Sequence, residues 1–402
     1  MPTAFAELHA FSGHRGGVNV LSSPGDERLA TGGEDGSVRL WDLAAGRAVR
    51  AILVPGAADD GVTAVHLGAV GEAANWVFAA TGAAVFGYDL RAPGLLLREP
   101  TRRFASNTDE VVHLTVLNGA GFGGGGPGSG LVLAAADDAG EVHMLDVGTG
   151  GPASAPLRGA HQSLCSASAF RPGFAHELYT AGLDCNCVRW DWRRALAVET
   201  WNLSAPTTTT QLLNPRHVHD LSFTADGLGL ALALGDGSIE VRTASGGTPV
   251  AAVEAHRAAT SQVQFAPTLR PLCNELCDEL AADAQPLLSA GDDRMLRLWS
   301  VEGVTPLCSP APGDDGPSKR RRGGFDGGNG GDDDGGDDGE AGAEEQGEEM
   351  EHGAAGEPGF RALLACELPE KPNGITAATS GTGGVVCVAS PESLVRVLRV
   401  TV

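Results

Sequence analysis

Histidine, aspartate and hydroxyl side chains recur together at fixed spacing in this chain. His14 precedes Thr31 and Asp35, His161 precedes Thr180 and Asp184, and His256 precedes Ser289 and Asp293. An imidazole held by a carboxylate beside a hydroxyl can activate that hydroxyl as a nucleophile, so hydrolysis is the first chemistry to weigh. Copy number argues against it. The three sets are equivalent, and each runs on to a tryptophan at the same offset, Trp41, Trp190 and Trp299. A structural network repeats in this way, whereas a catalytic centre is singular. The chain also has no G-x-S-x-G elbow, no G-K-[ST] phosphate loop and no H-E-x-x-H pair. The expectation is therefore that the protein is not an enzyme.

Two further patterns bear on cofactors. Gly121-Phe122-Gly123-Gly124-Gly125-Gly126 formally matches G-x-G-x-x-G, but Pro127 and the apolar run LVLAAADD follow it. A dinucleotide site needs a helix there, whose N-terminus meets the pyrophosphate, so the stretch reads as a loop between strands. Cys185 and Cys187 alternate onto one strand face, while Cys273 and Cys277 share an apolar helical face with Leu276 and Leu280. A structural zinc site needs about four ligands, and neither pair has a matching second pair. No metal or cofactor is expected. Eight cysteines in 402 residues are too sparse for a disulfide framework and read as buried small side chains.

The elements that position the His–Asp–hydroxyl sets come from a repeat. The segments LATGGEDGSVRLWD (29–42), LYTAGLDCNCVRWD (178–191) and LLSAGDDRMLRLW (287–299) each place two short apolar strands around a tight Asp/Gly turn. A buried His needs a donor and an acceptor, which the strand hydroxyl and the turn Asp supply. Degenerate copies lie between the clear ones, over 60–89, 107–146 and 214–242. The pattern from Gly-His to Trp-Asp resembles the WD-repeat family, whose units of about 45 residues each form a four-stranded propeller blade. The resemblance implies an all-β, seven-bladed WD-repeat propeller. The C-terminal runs 385–389 and 394–400 supply a seventh blade lacking its outer strand, which residues 4–11 can complete. An open stack of six repeats is the alternative, but a ring leaves fewer unpaired edges. Three segments, 119–130, 267–286 and 306–359, account for the length beyond seven units. The expected organisation has blades one to six, with the strand that completes blade seven, in 1–305. A disordered basic and acidic Gly-rich insertion follows over 306–359, and the end of blade six and blade seven occupy 360–402.

Composition points the same way. With 58 Gly and 23 Pro the chain demands turns rather than long helices, which excludes a bundle or coiled coil. The net charge of −23 disfavours direct binding to nucleic acid or an anionic membrane, and proteins are the expected partners of a monomer within a complex. No apolar run is long enough to span a bilayer, and the N-terminus lacks a signal-peptide pattern, so nucleus or cytoplasm is the expected location. Lys319, Arg320, Arg321 and Arg322 form a candidate nuclear import signal, and the Gly-Asp-Glu tract after them is a candidate tether for a basic partner. Tyr88-Asp89-Leu90-Arg91 and Trp190-Asp191-Trp192-Arg193 resemble the W-D-x-R box of WD-repeat substrate receptors in cullin-4 ubiquitin ligases. That resemblance implies docking to the adaptor DNA-damage-binding protein 1 through Asp89, Arg91, Trp190, Asp191 and Arg193. An ordered set of pieces also resembles one member of the WD-repeat family over most of the chain. It comprises YDLR (88–91), ADDAGEVHMLDV (136–147), CSASAFRPG (165–173), AGLDCNCVRW (181–190) and QLLNP (211–215). The expected function is a non-catalytic interaction scaffold acting as such a receptor. The alternative is a scaffold or chaperone for basic nuclear proteins that uses the acidic tract.

Overall fold

Short apolar runs of four to eight residues bounded by Gly, Asp and Pro pair with their sequence neighbours, because the connecting turns are too short for anything but antiparallel hairpins. The computed structural model describes residues 4–105, 107–118, 130–204, 215–276, 281, 283–304, 359–381 and 383–401. In it the runs build seven antiparallel blades. Blade one comprises Val18–Ser22, Arg28–Gly33, Ser37–Asp42 and Arg47–Leu53. Blade two comprises Ala64–Leu67, Trp76–Thr81, Ala84–Asp89 and Arg102–Phe104. Blade three has Val111–Asn118, Leu131–Asp137 and Val142–Asp146, its outer strand reduced to bridges from Leu157 to Val142 and Pro152 to Leu145. Blade four is Ala167–Phe170, Glu177–Ala181, Asn186–Asp191 and Leu196–Asn202. Blade five is Val218–Phe223, Gly229–Leu234, Ser238–Thr243 and Pro249–Glu254.

Blade six consists of Thr260–Phe265, Gln285–Gly291, Met295–Val301 and Phe360–Glu367. Its two outermost strands pair directly although residues 302–359 intervene in sequence. Most of that stretch, including the expected acidic insertion and Lys319–Arg322, lies outside the described residues, and so do Gly-rich residues 119–129. Blade seven unites the chain ends. Gly374–Ser380, Gly383–Ala389 and Leu394–Thr401 are joined by Ala4–Ser12, which pairs with the last of them from Ala4 opposite Thr401 to Ser12 opposite Leu394. The inner strands of successive blades touch in order, and those of blades seven and one also touch, so the ring closes.

Seven separate apolar clusters hold this arrangement, one at each blade-to-blade interface. Alternation along each strand sends side chains to both faces of a sheet, and both faces are covered by neighbouring blades. The middle strands therefore read as continuously buried, as in Trp76–Thr81 and Leu131–Asp137. Several elements go beyond a regular blade, among them short helical turns at Ala57–Asp60 and Gly71–Asn75. Leu96–Leu97 adds a short parallel fifth strand to blade one. In the 267–286 segment, Arg270–Leu276 forms a helix that buries Cys273 between blades six and seven, while Cys277 and Leu280 lie outside the described residues.

Phe11 ties the closing strand to blade one: it is buried and stacks on Trp41 with ring centroids 4.8 Å apart. Phe11→Ala is therefore expected to cost about 3–5 kcal/mol of unfolding free energy, read by denaturant titration.

Candidate functional site

Antiparallel four-stranded units place their turns on two rims. Links from one blade to the next and the turns between second and third strands fall on one rim; the remaining turns fall on the other. The His and Asp residues share the first rim, and the W-D-x-R-like boxes lie on the second.

On the first rim the structure brings each His–Asp–hydroxyl–Trp set together. His14 Nδ1 lies 3.0 Å from Asp35 Oδ1, its Nε2 lies 2.8 Å from Thr31 Oγ1, and Trp41 Nε1 donates to the same oxygen at 2.9 Å. In blade four His161 stands 3.2 Å from Asp184 Oδ1 and 2.7 Å from Thr180 Oγ1, which accepts from Trp190 Nε1 at 2.8 Å. In blade six His256 stands 2.8 Å from both Asp293 Oδ1 and Ser289 Oγ, and Trp299 Nε1 donates to Ser289 at 2.9 Å. The carboxylate can only accept, so Nδ1 of His14 and His161 carries the proton and their Nε2 accepts from the hydroxyl, whose oxygen accepts from the indole; in blade six Arg297 Nη1 also lies 2.9 Å from His256 Nδ1. The second carboxylate oxygen takes the backbone N–H of Arg15, Gln162 or Arg257. Every hydroxyl is thereby committed and fully buried, so none is presented to a substrate.

Electrostatics follow from this geometry. Burial lowers the His14 and His256 pKa values against the opposing pull of their aspartates. Burial works against ionisation of Asp35 too, yet hydrogen bonds from His14, Ser37 and the Arg15 N–H outweigh it and hold the carboxyl at about 2. Asp184 is likewise held at about 2, burial being outweighed by His161, the Gln162 N–H and Asn186.

A glycine at one position of the second strand makes room for the ring. A Cβ on Gly33, Gly182 or Gly291 would meet the Nδ1 of its histidine at 2.5, 2.7 and 2.5 Å. Sequence reading missed these glycines, although each sits two residues before the turn Asp. The degenerate blades lack one or another part. In blade two, strand register puts Ala79 where Thr31 stands and the buried Tyr88 where Trp41 stands. In blade five Arg216 takes over the role of the histidine, with Nε 3.1 Å from Asp236 and Nη2 2.9 Å from Glu240, which also holds Arg242.

Inside the ring, the inner strands of all seven blades line a polar cavity of about 380 Å³. Each inner strand presents its free edge to this channel, and side chains of a neighbouring blade satisfy the exposed backbone. Ser22 accepts from Leu67 N, Thr63 donates to Val111 O, and His113 accepts from Ser168 N. Ser166 donates to Val218 O, Asp220 and Ser222 accept from Val263 N and Phe265 N, and Gln264 accepts from Ala377 N. Asn373 closes the circuit by donating to Val18 O at 2.9 Å. Burial pushes Asp220 up to about 7 despite two backbone donors, and pushes His66 and His113 down to about 4.

On the second rim, Trp190 is buried within its own set while Asp191 and the exposed Arg193 follow at the turn. Arg193 lies 5.6 Å from the Trp192 ring centroid. Trp192 is in turn anchored by its indole to Ala175 O at 2.9 Å. Beside it Arg171, buried against the Phe174 ring at 3.7 Å, pairs with Glu177 at 2.9 Å, a support that the sequence reading did not single out. In blade two Arg91 is half exposed and pairs with Asp89 at 2.7 Å and Glu72 at 3.2 Å; the Arg91 hydrogen bonds hold the Asp89 carboxyl low. The two boxes belong to blades two and four, with blade three between them, so the structure does not join them into one cluster.

Comparison with known proteins agrees with this architecture. The model of the family described as WD domain, G-beta repeat, matches residues 5–42. The chain is similar to a WD repeat-containing protein 53 homolog of Dictyostelium discoideum, 24% identical over 308 residues that make up 72% of this chain and 76% of that protein. It also superposes on the WD40 β-propeller domain of Doa1 with a TM-score of 0.62 at 15% identity, covering 99% of this chain and 97% of that one. The latter likeness bears on fold alone.

Thr180→Val keeps the shape but leaves the His161 and Trp190 nitrogens without a partner. It is expected to lower stability by roughly 1–3 kcal/mol for each orphaned group, measurable by denaturant titration. The aspartates add a pH signature. With Asp35 and Asp184 near 2 in the folded chain and about 3.9 when unfolded, their contribution is complete above about pH 5 and is lost as pH falls through 4 towards 2. The stability gap between the native chain and Asp35→Asn/Asp184→Asn should narrow over that interval; a gap that stays constant would contradict the assignment.

Proposed function

We propose that the protein is a non-catalytic scaffold for protein partners and that it serves as a substrate receptor of a cullin-4 ubiquitin ligase. The observation that carries the reading is the rim of blade four. There an exposed Arg193 projects from a turn whose Trp190 and Trp192 are buried and hydrogen-bonded, a rigid platform offering a guanidinium to a carboxylate partner. Arg91 on blade two offers a second guanidinium, half exposed and prepaired with Asp89. The commitment of all three His–Asp–hydroxyl sets to internal bonds supports a structural rather than a chemical role. The likeness to the protein 53 homolog and the W-D-x-R-like spelling of the two turns favour DNA-damage-binding protein 1 as the docked adaptor. Nucleus and cytoplasm are the proposed locations, with Lys319–Arg322 as import signal.

A second reading rests on charge. Residues 314–357 carry 15 acidic and 4 basic side chains, a tract suited to holding a basic nuclear protein. The two readings separate in one affinity-capture experiment. Arg91→Ala/Arg193→Ala should abolish recovery of the adaptor without changing thermal stability, whereas deletion of 326–351 should leave it intact. Adaptor recovery by the double variant at the native level would overturn the receptor reading. Loss of basic clients only on deletion would establish the second.

A further inference from the structure

We propose that blade three carries a binding site for a divalent transition metal such as zinc, formed by Asp137, Glu141 and His143 with the side-chain oxygen of Asn107 completing it. The ligand atoms of the first three lie within 4.8 Å of one another. Asp137 and His143 are buried, and Glu141 reaches the surface.

The geometry originates in what blade three has exchanged. Strand register places Asp137 where blade one has Gly33, and His143 where it has Arg39. The glycine in blades one, four and six leaves space for a histidine ring. Blade three instead fills that space with a carboxylate and places Asn107 on the linking loop beside it. Asn107 Nδ2 donates to Asp137 Oδ2 at 3.1 Å and to Ala135 O at 3.3 Å. Its Oδ1 is buried and has no hydrogen-bond partner, although the residue is only 9% exposed. An orphaned buried carbonyl oxygen in a side chain bonded to the Asp137 carboxylate is costly, and rotation of the amide would turn it to a cation held by Asp137.

Spacing and donor type select the metal. Ligands at ~2.0–2.2 Å from zinc and at a tetrahedral angle sit about 3.3–3.5 Å apart. His143 Nε2 and Glu141 Oε2 already stand 3.4 Å apart. An imidazole among oxygen donors suits zinc and its first-row neighbours, whereas magnesium and calcium take oxygen alone. Arg158, whose Nε lies 2.9 Å from Glu141, is half exposed and free to swing towards solvent when the cation replaces its charge. The surrounding rim is negative, with Asp60, Asp109 and Asp138 acting on Glu110, and a bound cation would offset that charge.

The test uses the full chain stripped with chelator and then titrated with zinc chloride alone, followed by thermal unfolding. Cobalt chloride serves as a second probe, through its tetrahedral absorption bands. Zinc should raise the unfolding temperature of the native chain, and cobalt should show tetrahedral bands. His143→Gln and the more exposed Glu141→Gln, both folded without metal, should each weaken binding by at least about tenfold. No zinc stabilisation, or equal zinc affinity in both variants, would place any bound metal elsewhere and overturn the site. Calcium chloride stabilising the chain as well as zinc does would overturn the metal class.

Discussion

A blade is an open sheet, and its inner edge faces a channel wide enough for water but lined by backbone that must find partners. The whole ring depends on meeting that demand seven times over. Side chains of one inner strand reach the N–H and C=O groups of the next, from Ser22 and Leu67 round to Asn373 and Val18. Each bond is modest, about 1 kcal/mol net, but an unmade one in this setting costs more than a made one contributes. The circuit can be complete only if blade seven is complete. That blade has no outer strand of its own unless Ala4–Ser12 returns to lie beside Leu394–Thr401. Both chain ends thus serve one sheet, and local pairing everywhere else is conditional on a contact between the most distant parts of the sequence.

The His–Asp–hydroxyl sets are a second consequence of the same architecture. They fix the rim where each link enters the next blade, and they occur where a Gly permits a ring to lie against the second strand. Where the Gly is absent the rim is held by other means, as by Arg216 with Asp236 and Glu240 in blade five. Blade three departs furthest. Its outer strand shrinks to two bridges, and its rim carries Asn107, Asp137, Glu141 and His143 in place of the usual set. Regular blades give rigidity; irregular ones are where new chemistry can be accommodated without disturbing the ring.

Much of this was legible in the sequence because the fold is built from local pairings with a period. Offsets from Thr31 to Asp35 to Trp41, repeated twice, identify the three strongest blades, and the surplus apolar strands at the C-terminus imply the returning N-terminal one. The returning strand was legible only through the strand missing from blade seven, because a register shift between Glu7 and His9 breaks the alternation within it. The fifth strand of blade one was not, since Leu96–Leu97 pairs through a contact far from its own blade and two residues carry no periodic signal. Arg216 and Asn107 were missed for a related reason. They occupy the structural place of a histidine with a different side chain, and only strand register shows the equivalence. The two W-D-x-R-like boxes read alike in sequence, yet one belongs to a buried aromatic platform and the other to a half-exposed ion pair. What decides that difference is the anchoring of Trp192 to Ala175 O, on a neighbouring turn where Arg171 packs on Phe174.

The interaction reading rests on this division of labour: buried rim networks hold the ring, and Arg91 and Arg193 lie exposed at turns of the opposite rim. All of it presupposes closure through blade seven. The most direct measurement is hydrogen–deuterium exchange across Leu394–Thr401 in the chain lacking residues 1–12, compared with the full chain. Closure by the N-terminal strand predicts that these amides lose protection along with the adjoining strands of blade seven and the inner strand of blade one. Protection that persists unchanged over 394–401 would contradict it.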